Sequence, residues 1–161
     1  MRLFHGSTCE IRHPNVAFSR EHLDFGKGFY ATSYVEQAER WALRKARFEQ
    51  GPAIVNEYEV DWDPCNYRVL RFDDPDEQWV RFVCDCRAGG TQFADYDLII
   101  GGVADDKVFY AVDMFLKGIW DMETTLSALR FYNVNDQWCF VSQRTADTLL
   151  TFARSWEVPQ Q

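Results

Sequence analysis

Gly26-Lys27-Gly28 leads directly into the apolar run Phe29-Tyr30-Ala31-Thr32, and this feature most narrows the folds open to the chain. Two glycines one residue apart permit a tight turn and a close backbone approach that no other residue tolerates. A short apolar run launched from such a turn reads as a strand. An answering run, Leu3-Phe4-His5-Gly6-Ser7-Thr8, stands near the start. Each run carries one ring able to do polar chemistry, His5 in the first and Tyr30 in the second. Paired as strands, they are expected to set an imidazole and a phenol on the floor of one cleft.

The stretch between them, Cys9 to His22, holds Pro14 and polar residues without periodicity and reads as a loop over that cleft. After Thr32, Ser33 with Glu36 three residues on has the form of a capping box. The helix it opens shows Tyr34, Ala38, Trp41, Ala42 and Lys45 on one face and stops at Gly51-Pro52. Ile54–Val60 and Tyr67–Phe72 read as strands. Asp74-Pro75-Asp76-Glu77 opens a helix, with an acid cap, Pro at the first position and acids in the first turn; its apolar stripe is Trp79, Phe82, Val83 and Cys86. Asp97–Gly101 is a buried strand, Asp105 or Asp106 begins a helix ending near Gly118, and Asp121 caps another through Leu126 and Leu129. Gln137–Ser142 is a late strand, followed by a helix carrying Leu149, Leu150 and Ala153 to the C-terminus. Strands and helices alternate irregularly, which favours an α+β fold over a doubly wound parallel sheet.

The 161 residues, 47% apolar and 16% aromatic, suit one domain over 1–161 with a sizeable core. No apolar run approaches the ~20 residues of a membrane span, and Met1-Arg2-Leu3-Phe4 leads into no signal-peptide core, so the expected location is the cytoplasm and no membrane partner is expected. The five cysteines, Cys9, Cys65, Cys84, Cys86 and Cys139, lack paired CxxC spacing, which argues against a disulfide framework or a zinc site. The net charge of −8 is uneven, at +2 over residues 1–50 and −10 over 51–161. That acidity argues against a nucleic-acid binder working through a broad basic face, while the basic first third can face a small anion.

His5-Gly6-Ser7 ending a first strand, then Gly26-Lys27-Gly28-Phe29-Tyr30, resembles the ADP-ribosyltransferase superfamily, in the branch with the His–Tyr–Glu signature of the poly(ADP-ribose) polymerases. More closely, it resembles small bacterial toxin-like members, often encoded beside antitoxin-like partners. The resemblance is strongest over residues 2–45 and extends more loosely through Asp97–Asp106 to the strand at Gln137. It implies a split β-sandwich, two antiparallel sheets around an NAD cleft with flanking helices. It implies as well that NAD is the substrate, with ADP-ribose passing to a protein or nucleic-acid acceptor, and a cognate antitoxin as a partner. His5 would bond a ribose hydroxyl, the Gly6 backbone would meet the nicotinamide carboxamide, and Tyr30 would stack on the nicotinamide ring. Trp41, eleven residues after Tyr30, would complete the sandwich. Ser7 and Gly28 would line the cofactor, and Ser19 and Arg20 would contact the adenosine ribose and the pyrophosphate, Arg suiting phosphate by geometry and charge.

The chain departs from the pattern twice. Ala38 stands where the family offers a hydroxyl to the carboxamide, leaving Thr32 or Ser33 to substitute. Gln137 stands where the third motif has Glu; an amide bonds a ribose hydroxyl but carries no charge to steady a cation and is no general base. On this reading His5, Tyr30 and Gln137 are the catalytic set, and Gln137→Glu restores a carboxylate. Other carboxylates are Asp136, which a regular strand turns to the opposite face, Glu57, and the Asp105–Asp106 pair. Two further functions stay open, NAD hydrolysis without a dedicated acceptor and an inactive NAD- or ADP-ribose-binding module.

Overall fold

The computed structural model describes residues 1–61, 63, 66–103, 106–130 and 135–159, with the side chains of 106 and 107 excepted. The first strand, β1 (Arg2–Ser7), pairs antiparallel with β3 (Ile54–Val60), and β3 with β7 (Leu150–Glu157), making a three-stranded sheet. The second sheet takes β2 (Phe29–Ala31), β4 (Val69–Arg71), β5 (Leu98–Gly102) and β6 (Asp136–Phe140) in the order β2-β6-β5-β4. Five α-helices complete the described chain: α1 (Val35–Glu49), α2 (Glu77–Arg87), α3 (Asp106–Leu116), α4 (Met122–Leu129) and α5 (Gln143–Leu149). The architecture is α+β with two sheets. The second sheet is mixed rather than antiparallel, because β4 runs parallel to β5, and α2 supplies the crossover that a parallel pair needs.

Two apolar cores lie on either face of the second sheet. Leu3 and Tyr58 from the first sheet meet Phe29, Ala31, Trp138, Phe140, Leu98 and Ile100 from the second. On the far face Ile99 and Cys139 pack with Phe25 and the α2 stripe of Trp79, Phe82, Val83 and Cys86. The stripe is buried as its spacing predicts.

Three local expectations are corrected. No strand is predicted for Leu150–Glu157, yet these residues form β7, antiparallel to β3 from Ile54↔Glu157 to Val60↔Leu150. Leu149, Leu150 and Ala153 satisfy a helical repeat, but Leu150, Phe152 and Trp156 alternate and the partner strand decides. Ser33 does not cap α1: the cap position is Tyr34, without a side-chain bond, and the Ser33 N–H donates to Asp136 Oδ1 at 2.8 Å. Asp136 of β6 thus holds the residues just before the cap, Thr32 and Ser33, rather than a first-turn N–H of the helix. In α2 the cap is Asp76, whose side chain accepts from Trp79 N–H at 2.9 Å, so Pro75 precedes the helix.

Candidate functional site

The two sheets meet at a seam between β1 and β2. Phe4 N–H donates to the Thr32 carbonyl at 2.8 Å and Thr32 N–H to the Phe4 carbonyl at 3.0 Å. Strand alternation then turns the N–H and C=O of Gly6 and of Tyr30 to this same gap. The next exchange does not form. His5 Nδ1 instead lies 2.6 Å from the Tyr30 carbonyl. Gly6 is buried, and among the described residues its N–H and C=O take no hydrogen bond across the gap. Buried backbone groups left without partners are rare.

A carbonyl only accepts, so His5 Nδ1 carries the proton and Nε2 of the neutral ring is an acceptor. Burial, with Lys45 nearby, pushes the His5 pKa down from 6.5 to about 4, although part of the residue reaches solvent. Its ring lies 4.4 Å from that of Phe29. Phe29 and Tyr30 point to opposite sides of β2, so the imidazole and the phenol do not share a floor as expected; the strand backbone links them.

On the Tyr30 side, its hydroxyl accepts from Phe25 N–H at 3.0 Å and donates to the Gly26 carbonyl at 2.7 Å. The phenol thereby closes the turn in which Gly26 holds φ +73°, and burial raises its pKa. Cys139 is the β6 partner of Tyr30, so Gln137, two residues earlier, faces the same way. Gln137 is buried, and its Nε2 donates to Asp24 Oδ2 at 3.3 Å and to the Gly102 carbonyl at 3.2 Å. Asp24 in turn receives Arg87 at 2.6 Å, and the Arg87 guanidinium lies 4.2 Å over the Phe109 ring. Gly6 opens toward this side as well: a Cβ there would stand 2.9 Å from Trp41 Cβ and 2.5 Å from Ala42 N. The α1 face that meets β1 is Ala38, Ala42 and Ala46, small enough to bring Trp41, partly buried, beside Gly6.

On the His5 side the carboxylate is Asp136. It alternates with Trp138 and Phe140 of β6, which pair with Ala31 and Phe29. Its Oδ1 accepts from Thr32 Oγ1 at 3.0 Å and from Ser33 N–H, and its Oδ2 accepts from Trp138 Nε1 at 3.0 Å. The structure thus groups Tyr30, Gln137, Gly6 and Trp41 on one side and His5 with Asp136 on the other. Thr32, expected to offer its hydroxyl to a carboxamide, donates it to Asp136.

Ser19 Oγ accepts from Gly28 N–H at 3.0 Å and donates to the Arg20 carbonyl at 3.1 Å, clamping the loop to β2. Ser7 is buried, its Oγ 3.9 Å from Cys9 Sγ. Glu57 is buried between Arg154, at 2.7 Å, and Arg2, at 3.1 Å, a structural ion triad. Asp105 lies outside the described residues, and of Asp106 only its place at the start of α3 is described. Asp24 and Arg87 escaped the sequence reading; an acid flanking the Gly-Lys-Gly turn was the available signal for the first, and none marked the second. An open recess of about 480 Å³ lined by Met1, Arg2, Glu59, Val60, Asp61 and Thr151 lies at the other end of β1 and holds none of these groups, so the seam is the stronger candidate on chemistry. Among the described residues no three metal-ligating side chains cluster, and no helix is long and apolar enough to cross a membrane.

Fold and seam define an α+β protein whose two sheets part around a histidine, with a tyrosine on the opposite face of the neighbouring strand. The model of a family of proteins of unknown function, DUF3990, matches residues 1–152. The chain belongs to that family. No curated protein and no solved structure matches it.

Proposed function

We propose that the chain is an NAD-dependent ADP-ribosyltransferase of the split β-sandwich type, with its nicotinamide site at the seam between β1 and β2. The observation that carries this reading is the buried Gly6 backbone, whose N–H and C=O stand unpaired beside Trp41 and on the side of Tyr30. A primary carboxamide offers the complementary acceptor and donor. The pyridine ring then lies between the Tyr30 and Trp41 rings. The ribose turns toward His5, whose Nε2 accepts a hydroxyl proton because Nδ1–H is held by Tyr30. As the C1′–N bond breaks, its electron pair leaves with nicotinamide and positive charge grows on the ribose. Asp136 is the anion on that side of the sheet and the group that steadies the cation. A nucleophile of a macromolecular acceptor adds to C1′ and loses its proton. Gln137 supports the site by holding Asp24.

A second reading has one observation in its favour. The Asp136 carboxylate already accepts three hydrogen bonds from Thr32, Ser33 and Trp138, which suits a binding module that does not turn over. Incubation of the purified protein with NAD, with free nicotinamide measured, decides between them. Wild type should release nicotinamide, and Asp136→Asn should bind NAD yet release it about a hundredfold more slowly. Binding without release in wild type leaves the module; neither binding nor release sinks both.

A further inference from the structure

Helix α1 buries one side and carries an arginine stripe on the other. Ala38, Ala42 and Ala46 are packed in the core beside β1. Arg40, Arg44 and Arg47, at i, i+4 and i+7, fall on the opposite side, and all three are exposed. Phe48, one turn beyond Arg44, stands beside the stripe and is 81% exposed. The chain is acidic, at −8, and pairing is the rule for its cations. Outside α1, nine lysine and arginine side chains in the described chain pair with a carboxylate. Arg40 and Arg47 make no hydrogen bond or ion pair among the described residues. Glu36 stands four residues before Arg40, the order in which helix pairs form best, and still takes no bond from it. The helix dipole favours Arg47 in the last turn but not Arg40 near the middle.

We propose that this face of α1 binds single-stranded nucleic acid, the arginines holding phosphates and Phe48 stacking on a base. A basic stripe along a helix is the electrostatic footprint of such a partner. Three features choose it over other polyanions. The stripe is all arginine, whose planar fork meets two phosphate oxygens at once, as a lysine cannot. The exposed ring beside it offers a stacking face, and a base must be unpaired to reach that face. A helix lying on an anionic membrane needs an apolar side to bury, and that side of α1 is already packed in the core. The stripe is about 10 Å long, a contact of about three phosphates, narrow enough for an acidic chain to carry. This binding does not require NAD at the seam.

The test follows labelled oligo(U) and oligo(dT) of about twelve nucleotides by fluorescence anisotropy as salt is raised. Wild type should bind, with log K falling against log salt at a slope of about −2. Arg40→Gln and Arg47→Gln should each make that slope shallower by about 0.7. Phe48→Ala should bind about five- to a hundredfold more weakly at unchanged slope, while Phe48→Trp keeps wild-type affinity. These side chains are exposed, so all four variants should melt as wild type does. Binding of one oligonucleotide without the other supports the proposal and identifies the sugar. The proposal is overturned by an unchanged slope in either arginine variant, by wild-type affinity in Phe48→Ala, or by a duplex of the same length bound as tightly. It is overturned as well if wild type binds neither oligonucleotide, and binding instead to vesicles of anionic phospholipid would make the face a membrane contact.

Discussion

Along its β3 edge, strand β1 is paired without a break from Arg2↔Glu59 to Ser7↔Ile54, whereas along its β2 edge, among the described residues, one backbone exchange holds it, that of Phe4 with Thr32. Both edges belong to one strand, so composition does not explain the difference. What separates them is the side chain of His5, which takes the Tyr30 carbonyl that Gly6 N–H would otherwise reach. The laddered edge does what a sheet does for stability. The open edge keeps two strong polar groups of Gly6 in the interior at a cost of roughly 1–3 kcal/mol each when unmatched. A protein tolerates that where a ligand supplies the missing partners, and the seam is where function is to be sought.

The comparison breaks most severely at Gly6. A Cβ at this position meets the Ala38 carbonyl oxygen and the Ala42 nitrogen, both backbone atoms of α1, so no side chain can swing aside. Gly6→Ala should cost on the order of 3 kcal/mol, seen as a lower denaturation midpoint, and should abolish NAD binding by moving Trp41. A midpoint equal to wild type would mean that α1 is not pressed on the open edge and that the seam is wider than described.

The next test bears on Gln137, whose amide was expected to be a weakened stand-in for a carboxylate. Its Nε2 donates to Asp24 Oδ2 and to the Gly102 carbonyl, and both partners are acceptors only. Gln137→Glu turns a donor into an acceptor in a buried site beside an acid, and Arg87 already serves Asp24. The variant should lose about 2 kcal/mol at pH 8. The sign of its pH dependence follows from the same geometry. The new carboxyl has a raised folded-state pKa, so stability is present in acid and lost as pH rises. Equal destabilisation at pH 5 and pH 8 would remove Asp24 as its partner, and a more stable variant would restore the carboxylate reading.

These two residues also show where the sequence was legible. The seam strands, the buried α2 stripe and the Asp121 cap, which accepts from Thr124 N–H at 2.8 Å, follow from patterns within a dozen residues of each other. What escaped depends on pairings across the chain. Parity within a strand says that Asp136 and Gln137 face opposite ways, but only the register Tyr30↔Cys139 says which of them shares a side with His5. The segment entering α1 is likewise held from afar, by Asp136 accepting from Thr32 and Ser33, while Ser33 and Glu36 locally imitate a capping box. Strand β7 is a strand because β3 lies beside it.

The last test distinguishes the two sides of the seam by proton. His5 is held neutral in the fold, with its pKa down to about 4 from 6.5, because burial disfavours the charged ring and Lys45 adds to the cost. The unfolded chain takes up a proton near pH 6.5 and the folded chain does not, so stability falls as pH drops through that value and levels off below about 4. For one proton the slope is at most about 1.4 kcal/mol per pH unit. His5→Asn removes that component, and the difference between the stability profiles of wild type and variant should be confined to the window from 6.5 to 4. Ligand binding should follow the same proton. Nε2 accepts a ribose hydroxyl only while the ring is neutral, so NAD affinity should stay level from pH 8 to about 5 and decline below it. An affinity that instead drops between pH 7 and 6 would mean that His5 titrates as an ordinary surface histidine, and the imidazole would not then be the group that holds the seam open.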